Sequence, residues 1–339
     1  MTGKHRVLIA GIGGASLGTE LLKCLLAAGR YEVFGCDISR YAFGHYIQGF
    51  ERTFLVDRKN YTESVIDVCR AIKANCIIPG GEEPLVLLAK SSAQLSSEAI
   101  HLAANSLAII TTFTDKKAAF ETLKNQGFTI PLTLTVQKFA DLDKMVFPCI
   151  VKPATGSGGS SFVFAAESKD EAWLHVSYLI KNGKRALVQE YLCPDEGEFT
   201  VGVLSLPNGH LVGSIALRRT LDSKLSVLSR GEAGLISSGY SQGLIDDFPE
   251  VRAVAERIAV AIGSTGPINV QGRVKGGVLV PFEINPRFSA STYLRTMAGF
   301  NEVDLYLQFI NDGVASSPPP IRPGYYLRSL SKFTSEGIR

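Results

Sequence analysis

The chain has 339 residues, with 35 Lys+Arg against 32 Asp+Glu, a net charge of +3, and is 45% hydrophobic. This length and composition allow two or three compact domains with ample apolar content for a core. The near-balanced charge, with no Lys/Arg block, argues against general nucleic-acid binding and leaves small anionic ligands open.

No apolar run approaches ~18 residues, so no membrane span is expected. The opening apolar run 7-VLIA-10 is too short for a signal peptide, and the chain reads as cytoplasmic. None of the six cysteines forms a Cys-x-x-Cys pair; most sit in apolar surroundings and read as buried free thiols. The five histidines lack metal-ligand spacing, which argues against a zinc site.

Strand and helix signals alternate through the first third. Residues 6–10 form a short apolar strand, Gly11-Ile12-Gly13-Gly14 a turn, and 17–28 a helix closed by Gly29. A strand over 31–36 ends at Asp37; a helix over 61–73, a strand over 76–79 and a helix over 83–91 follow. This alternation predicts βαβ units and a parallel sheet. Gly11-x-Gly13 with Asp37 is a partial dinucleotide fingerprint, because its third glycine would fall at Ser16. An NAD-binding oxidoreductase is therefore an alternative.

Thr114 is placed as the N-cap of a helix over 115–126 that stops at Gly127. A strand over 147–152, a Gly/Ser loop over 153–161, a strand over 162–165, a helix over 169–181 and a strand over 186–191 follow. Residues 198–206 and 210–217 form a hairpin around Pro207-Asn208-Gly209. A helix over 249–263 precedes strands over 268–274 and 278–285, joined at Lys275-Gly276-Gly277. Paired strands of this kind predict α+β structure with antiparallel sheets.

In 278-VLVPFEIN-285, Val278, Val280, Phe282 and Ile284 alternate with Leu279, Pro281, Glu283 and Asn285. The first set is assigned to a core and the second to the opposite face. A three-residue loop at Lys275-Gly276-Gly277 sets Val274 against Val278 and Gln271 against Pro281, which brings Gln271 to the face of Glu283. One carboxylate and two amide oxygens then converge, a donor set that suits Mg²⁺ when nucleotide phosphates complete it. An ordinary polar sheet face fits the same pattern.

The segment 152-KPATGSGGSS-161 joins two apolar strands with many backbone N–H groups and little bulk, which suits phosphate oxygens. It is neither a Walker A loop nor a kinase glycine loop, and a flexible hairpin is the plain alternative. Lys152, at the end of the entering strand, is placed as a point charge for phosphate; a solvated strand end is the other reading. The strand 186-ALVQEYL-192 supplies an apolar slot with backbone groups for adenine, and Glu198 a carboxylate for ribose.

These features, in this order, resemble the ATP-grasp superfamily over the whole chain. Asn269-x-Gln271 with 283-EINPR-287 is closely similar to the half-domains of the carbamoyl phosphate synthetase large chain. The resemblance implies α/β plus α+β architecture: a Rossmann-like pre-grasp domain over 1–112, a small lobe over 113–188 and a large lobe over 189–339. It implies that Lys116 and Lys152 contact ATP phosphates and that Thr155, Gly156, Ser157, Gly158, Gly159, Ser160 and Ser161 close over them. Gln189, Glu190, Tyr191 and Leu192 form the adenine hinge, Leu192 through its backbone, and Glu198 holds the ribose. Gln271, Glu283 and Asn285 carry one or two Mg²⁺, with Mn²⁺ as a substitute. Arg287 meets the γ-phosphate or an acyl phosphate, with Lys152 beside it as a catalytic cation. Many relatives carry an acidic residue where Gln271 stands, which bears on the second metal.

The activity implied is ADP-forming ligation of a small carboxylate to an amine or thiol through an acyl phosphate, on an amino acid or small peptide. A non-catalytic ATP-binding module is the alternative, and a homodimer is compatible with the resemblance. For the acceptor, Arg218, Arg219 and Arg230 are candidate carboxylate ligands; a basic strand face is the plain alternative. Ser289 and Ser291 either line the same cleft or cap the next helix.

Overall fold

Short apolar strands fed by helices make a parallel sheet at the N-terminus of the computed structural model, which describes residues 4–13, 17–156 and 161–329. The elements are β1 (His5–Ala10), α1 (Leu17–Ala28), β2 (Tyr31–Asp37), β3 (Arg52–Leu55), α2 (Tyr61–Ile72), β4 (Cys76–Pro79), α3 (Glu82–Lys90), α4 (Ser92–Ser97) and β5 (His101–Leu102). Their order in the sheet is β3-β2-β1-β4-β5. Strand β3 escapes a search for apolar runs because RTFL lies at a sheet edge with both end residues exposed.

Helices α5 (Leu107–Thr114) and α6 (Lys116–Asn125) follow, and here the expected cap shifts by one residue. Thr114 ends α5 and returns its hydroxyl to the Ile110 carbonyl at 2.8 Å. Asp115 is the N-cap of α6, its Oδ1 accepting from Lys117 N at 2.9 Å and Ala118 N at 3.3 Å.

A four-stranded antiparallel sheet, in the order β6-β9-β7-β8, contains β6 (Thr133–Val136), β7 (Cys149–Pro153), β8 (Phe164–Ala166) and β9 (Ala186–Glu190). Helix α7 (Lys169–Lys181), capped by Ser168, packs on it around a core of its own that includes Val151, Val176 and Leu179.

The C-terminal part contains β10 (Glu198–Ser205), β11 (Leu211–Arg219), β12 (Val227–Gly231), β13 (Gly234–Ser237), β14 (Gly243–Asp246), α8 (Pro249–Ala261), β15 (Pro267–Lys275), β16 (Val278–Asn285), α9 (Thr292–Met297), α10 (Glu302–Asp312) and β17 (Gly324–Tyr326). Six of these strands form one sheet, β16-β15-β10-β11-β14-β17, and β12-β13 form a ribbon. One face of the large sheet packs Val201, Val270 and Ile284 against α5, α6 and α8. The other region of core joins Leu204, Ile215, Phe288 and Tyr306 with Val7, Ile9 and Leu21 of the N-terminal sheet and α1. Asn105 adds a polar tie, donating to Pro267 O at 2.8 Å and accepting from Ser264 Oγ at 2.9 Å. The N-terminal sheet and the large sheet thus share a core, while the four-stranded sheet has its own.

The β15–β16 hairpin departs from the expected register. Its loop is the two-residue Gly276-Gly277, with φ of +61° and +77°, so Lys275 faces Val278 and Val274 faces Leu279. A bulge then restores the expected outcome: Gly272 faces Pro281, Gln271 faces Glu283, and Phe282 is the extra residue. The bulge also switches the buried face. Leu279 and Ile284 both enter the core, Val278 is exposed, and Phe282 turns to a cleft.

Candidate active site

Two lysines converge where the four-stranded sheet meets the large one. Lys116 is the first residue of α6, and its N–H donates to Ala154 O at 3.0 Å, tying the helix start to the end of β7. Lys152, near the end of β7, is buried rather than solvated. Its Nζ donates to Gln189 Oε1 at 2.7 Å and to the bulge carbonyl Phe282 O at 3.0 Å, and lies over the Phe120 ring at 5.3 Å. Burial, then repulsion from Lys116, pulls its pKa down to about 7, with Glu283 opposing. Two ammonium groups in one cleft, with Glu283 Oε1 3.8 Å from Lys116 Nζ, favour an incoming polyanion.

The cleft above the lysines is lined by Ile150, Val163, Leu192, Leu235, Ile236 and Phe282, the apolar slot a planar base needs. Gln189 and Glu190 line it as well. The Leu192 carbonyl is taken by Arg273, which leaves its N–H as the backbone group for a base edge. Tyr191 lies outside the lining; its hydroxyl accepts from Leu235 N at 2.8 Å and so supports the slot from behind. Thr155 and Gly156 lead out of the pinned Ala154 and are exposed. Ser157, Gly158, Gly159 and Ser160 lie outside the described residues, and Ser161 opens the return toward β8.

Glu198 lies apart from the cleft lining. Its carboxylate is buried between Arg273, at 2.9 Å, and Arg219, at 3.3 Å, away from the lining of the cleft. Two guanidinium groups engage it as an internal ion pair, set back from the cleft in which a ribose ligand is expected. Arg219 Nη2 donates to the carbonyls of Ser226 and Ser238, at 3.1 and 2.9 Å. Arg230 donates to Leu221 O, Arg218 is exposed, and none of the three arginines lines the cleft or the pocket that adjoins it at Gln271 and Glu283. Asp37 closes the glycine turn: its carboxylate accepts from Ile12 N and Ser39 N, each at 2.9 Å, and it lines a further pocket with Gly11 and Gly13.

Gln271, Glu283 and Asn285 share one face of β15 and β16, with Gln271 opposite Glu283 and Asn269 opposite Asn285. Among the described residues no group of three or more His, Cys, Asp or Glu comes together. One half-buried carboxylate with flanking amide oxygens fits Mg²⁺, an ion that takes one or two carboxylates and fills its shell with water and phosphate. Arg287 lies just beyond, donating to Phe288 O at 2.9 Å. Burial lowers its pKa, and Glu82 and Glu283 oppose that shift.

A second pocket opens on the far side of the same residues. Gln271 and Glu283 line both the apolar cleft and this pocket, so the two cavities meet at that pair. Asn285, Arg287, Ser289 and Ser291 line the second pocket with Thr200, Asn269 and the 238–241 turn. Ser289 and Ser291 share a hydrogen bond at 2.7 Å, and Ser291 precedes α9 without a capping bond. Leu17 and the 80–82 turn before α3 close the pocket from the N-terminal sheet. Thr200, Glu82 and the 238–241 turn went unread because nothing local marks them; a fold must bring three distant segments together.

The ATP-grasp family described as “ATP-grasp in the biosynthetic pathway with Ter operon” matches residues 183–333. A formate-dependent phosphoribosylglycinamide formyltransferase of Corynebacterium jeikeium is 25% identical over 312 residues, 88% of this chain and 72% of that protein. A carbamoyl phosphate synthase large chain of Streptomyces coelicolor is 25% identical over 221 residues, which is 62% of this chain and 19% of that protein. Among solved structures, an L-amino acid ligase from Bacillus licheniformis superposes with a TM-score of 0.63 at 18% identity, over 91% of this chain and 74% of that one. Among the described residues no helix is long and apolar enough to cross a membrane.

Proposed function

We propose that this chain, a member of the ATP-grasp superfamily and an ATP-dependent, ADP-forming ligase, joins an amino acid or small peptide to an amine or thiol. The observation that carries the reading is the meeting of the base cleft and the second pocket at Gln271 and Glu283. A nucleotide in the first and an acid in the second would present a phosphorus and a carboxylate oxygen to each other there.

The carboxylate oxygen attacks the γ-phosphorus, the bond to the β–γ bridging oxygen breaks, and ADP leaves with that electron pair. An amine nitrogen then attacks the acyl carbon, phosphate departs with the C–O electrons, and the amine proton passes to solvent. Positioning and charge neutralisation dominate such transfers. Lys116 and Lys152 hold the phosphates, and Arg287 meets charge developing at the transferred group. Gln271, Glu283 and Asn285 would hold Mg²⁺, which when bound neutralises phosphate oxygens. Glu82, in the first turn of α3, gives the second pocket a carboxylate suited to a substrate ammonium. That group favours an amino acid over a simple acid.

The test is product analysis with ATP, Mg²⁺, hydroxylamine and pooled amino acids and small carboxylic acids. ADP together with a hydroxamate is the expected result. AMP with pyrophosphate would mean adenylation and overturn the reading. ATP binding with no turnover for any acid would favour a binding module.

A further inference from the structure

Thr200, Gly202, Asn269 and Gln271 lie on one face of adjacent strands, with Thr200 opposite Gln271 and Gly202 opposite Asn269. Two residues of strand put Asn269 ~7 Å from Gln271. Over Gly202 sits Arg295 of α9, fully buried and paired with the equally buried Glu302 at 3.2 Å. The space exists because residue 202 has no side chain: a Cβ there would be 2.2 Å from Arg295 Nη1.

Arg295 Nη2 donates to Asn269 Oδ1 at 2.5 Å and to Thr200 Oγ1 at 3.2 Å. The Thr200 hydroxyl donates to the same Asn269 oxygen at 2.8 Å. Both lone pairs of that oxygen are thereby filled. A guanidinium has no acceptor, so the reversed amide would set N–H against N–H. The amide is held one way round. Its Nδ2 donates to no described residue and is not among the buried unpartnered atoms, although Asn269 as a whole is only 2% exposed. It is the edge that Asn269 offers to the pocket it lines.

A buried ion pair is weak evidence of a role in stability. A buried pair replaced by well-packed apolar side chains commonly costs nothing or stabilises. Here Arg295 Nε and Glu302 Oε2 are even left without partners.

We propose that Arg295 and Glu302 are positioning residues that hold Asn269 as a donor for a second oxygen of the acid substrate. The pocket therefore selects acids with a further carboxylate, carboxamide or peptide carbonyl a few bonds from the reacting carboxylate. This rests on the ligase reading above.

The test compares wild type with Asn269→Asp and with the double variant Arg295→Met/Glu302→Leu, which removes both charges at similar volume. KM and kcat are measured for ATP and for paired acids with and without the second oxygen, alongside Tm. Both variants are expected to raise KM at least tenfold for the bifunctional acids only, with KM for ATP unchanged and the double variant's Tm within a few degrees of wild type. A change in Tm alone, with the preference among acids intact, would overturn the proposal and leave the pair a structural feature. Should the double variant fail to fold, Thr200→Val and Asn269→Asp decide by the same preference. ADP formation with no altered preference defeats this inference alone; no ADP from wild type with any acid defeats the ligase reading and this inference with it.

Discussion

The base cleft and the second pocket meet at Gln271 and Glu283, yet they are built by different means. The cleft relies on charge, with Lys116 and Lys152 brought together near one carboxylate. It lies between the four-stranded sheet, which has a core of its own, and the large sheet. The second pocket sets beside Glu82, Glu283 and Arg287 a neutral amide, Asn269, whose orientation is held from beneath, between two sheets that share a core. A polyanion can be gathered by point charges with tolerant geometry, whereas telling one small acid from another needs groups fixed in direction. On the proposed ligase reading, the first half would take the nucleotide and the second would choose the acid.

If the halves are coupled only at their junction, Glu283→Ala should have the largest effect. We expect loss of ADP formation by at least about 10³-fold with the fold intact, because the carboxylate lies on the cleft face. Full turnover with unchanged Mg²⁺ dependence would remove Glu283 from the metal site. On the nucleotide side, Lys152→Met should reduce kcat/KM for ATP by about 10²–10³-fold and leave preference among acids unchanged. A shift in acid preference would break the separation between the halves.

Glu198→Ala sharpens the comparison from a third direction. Removing the partner of Arg219 and Arg273 leaves two buried cations unpaired and should cost about 3–5 kcal/mol in denaturant unfolding. A large rise in KM for ATP at unchanged stability would return Glu198 to the ribose.

The smallest effect is in pH. Lys152 has its pKa pulled from 10.5 to about 7 by burial and Lys116, so above that pH the free protein holds it increasingly neutral. Between those values the unfolded chain binds the proton that the folded chain lacks, and stability of the free protein from this group rises with pH. Phosphates raise the pKa, so binding takes up a proton and ATP affinity falls above pH ~7, by at most about tenfold per unit. Titration calorimetry at pH 8 in buffers of differing ionisation enthalpy reads that uptake. No buffer dependence in wild type, or the same dependence in Lys152→Met, would assign the proton elsewhere.

Much of the cleft was legible because its chemistry coincides with local pattern. A lysine ending a strand before a glycine loop, and Glu-x-Asn on a strand face, are marked by spacing alone. The hairpin shows how far such reasoning reaches. Gln271 and Glu283 were placed on one face through a three-residue loop, but a two-residue loop and a bulge at Phe282 produce that pairing. Alternation along one strand cannot reveal a bulge, because the extra residue is defined only against its partner. The arginines misled for a related reason. Arg219 reads as a ligand from composition, but Glu198 was free to meet it once β10 and β11 paired.

The sequence by itself determined the strongly periodic strands and helices, the two lysines and the Glu-x-Asn alternation, since these follow from short-range periodicity and residue chemistry; short or edge elements such as β3, β6, β12–β14 and α9 carry no such local signal. Tertiary structure alone decided which charges are buried in pairs and which face a cavity. It also decided that Arg295, seven residues before Glu302, reaches through the gap above Gly202 to orient Asn269. That outcome depends on the packing of α9 and α10 over β10 and β15. Burial, unlike periodicity, is a property of neighbours distant in the chain.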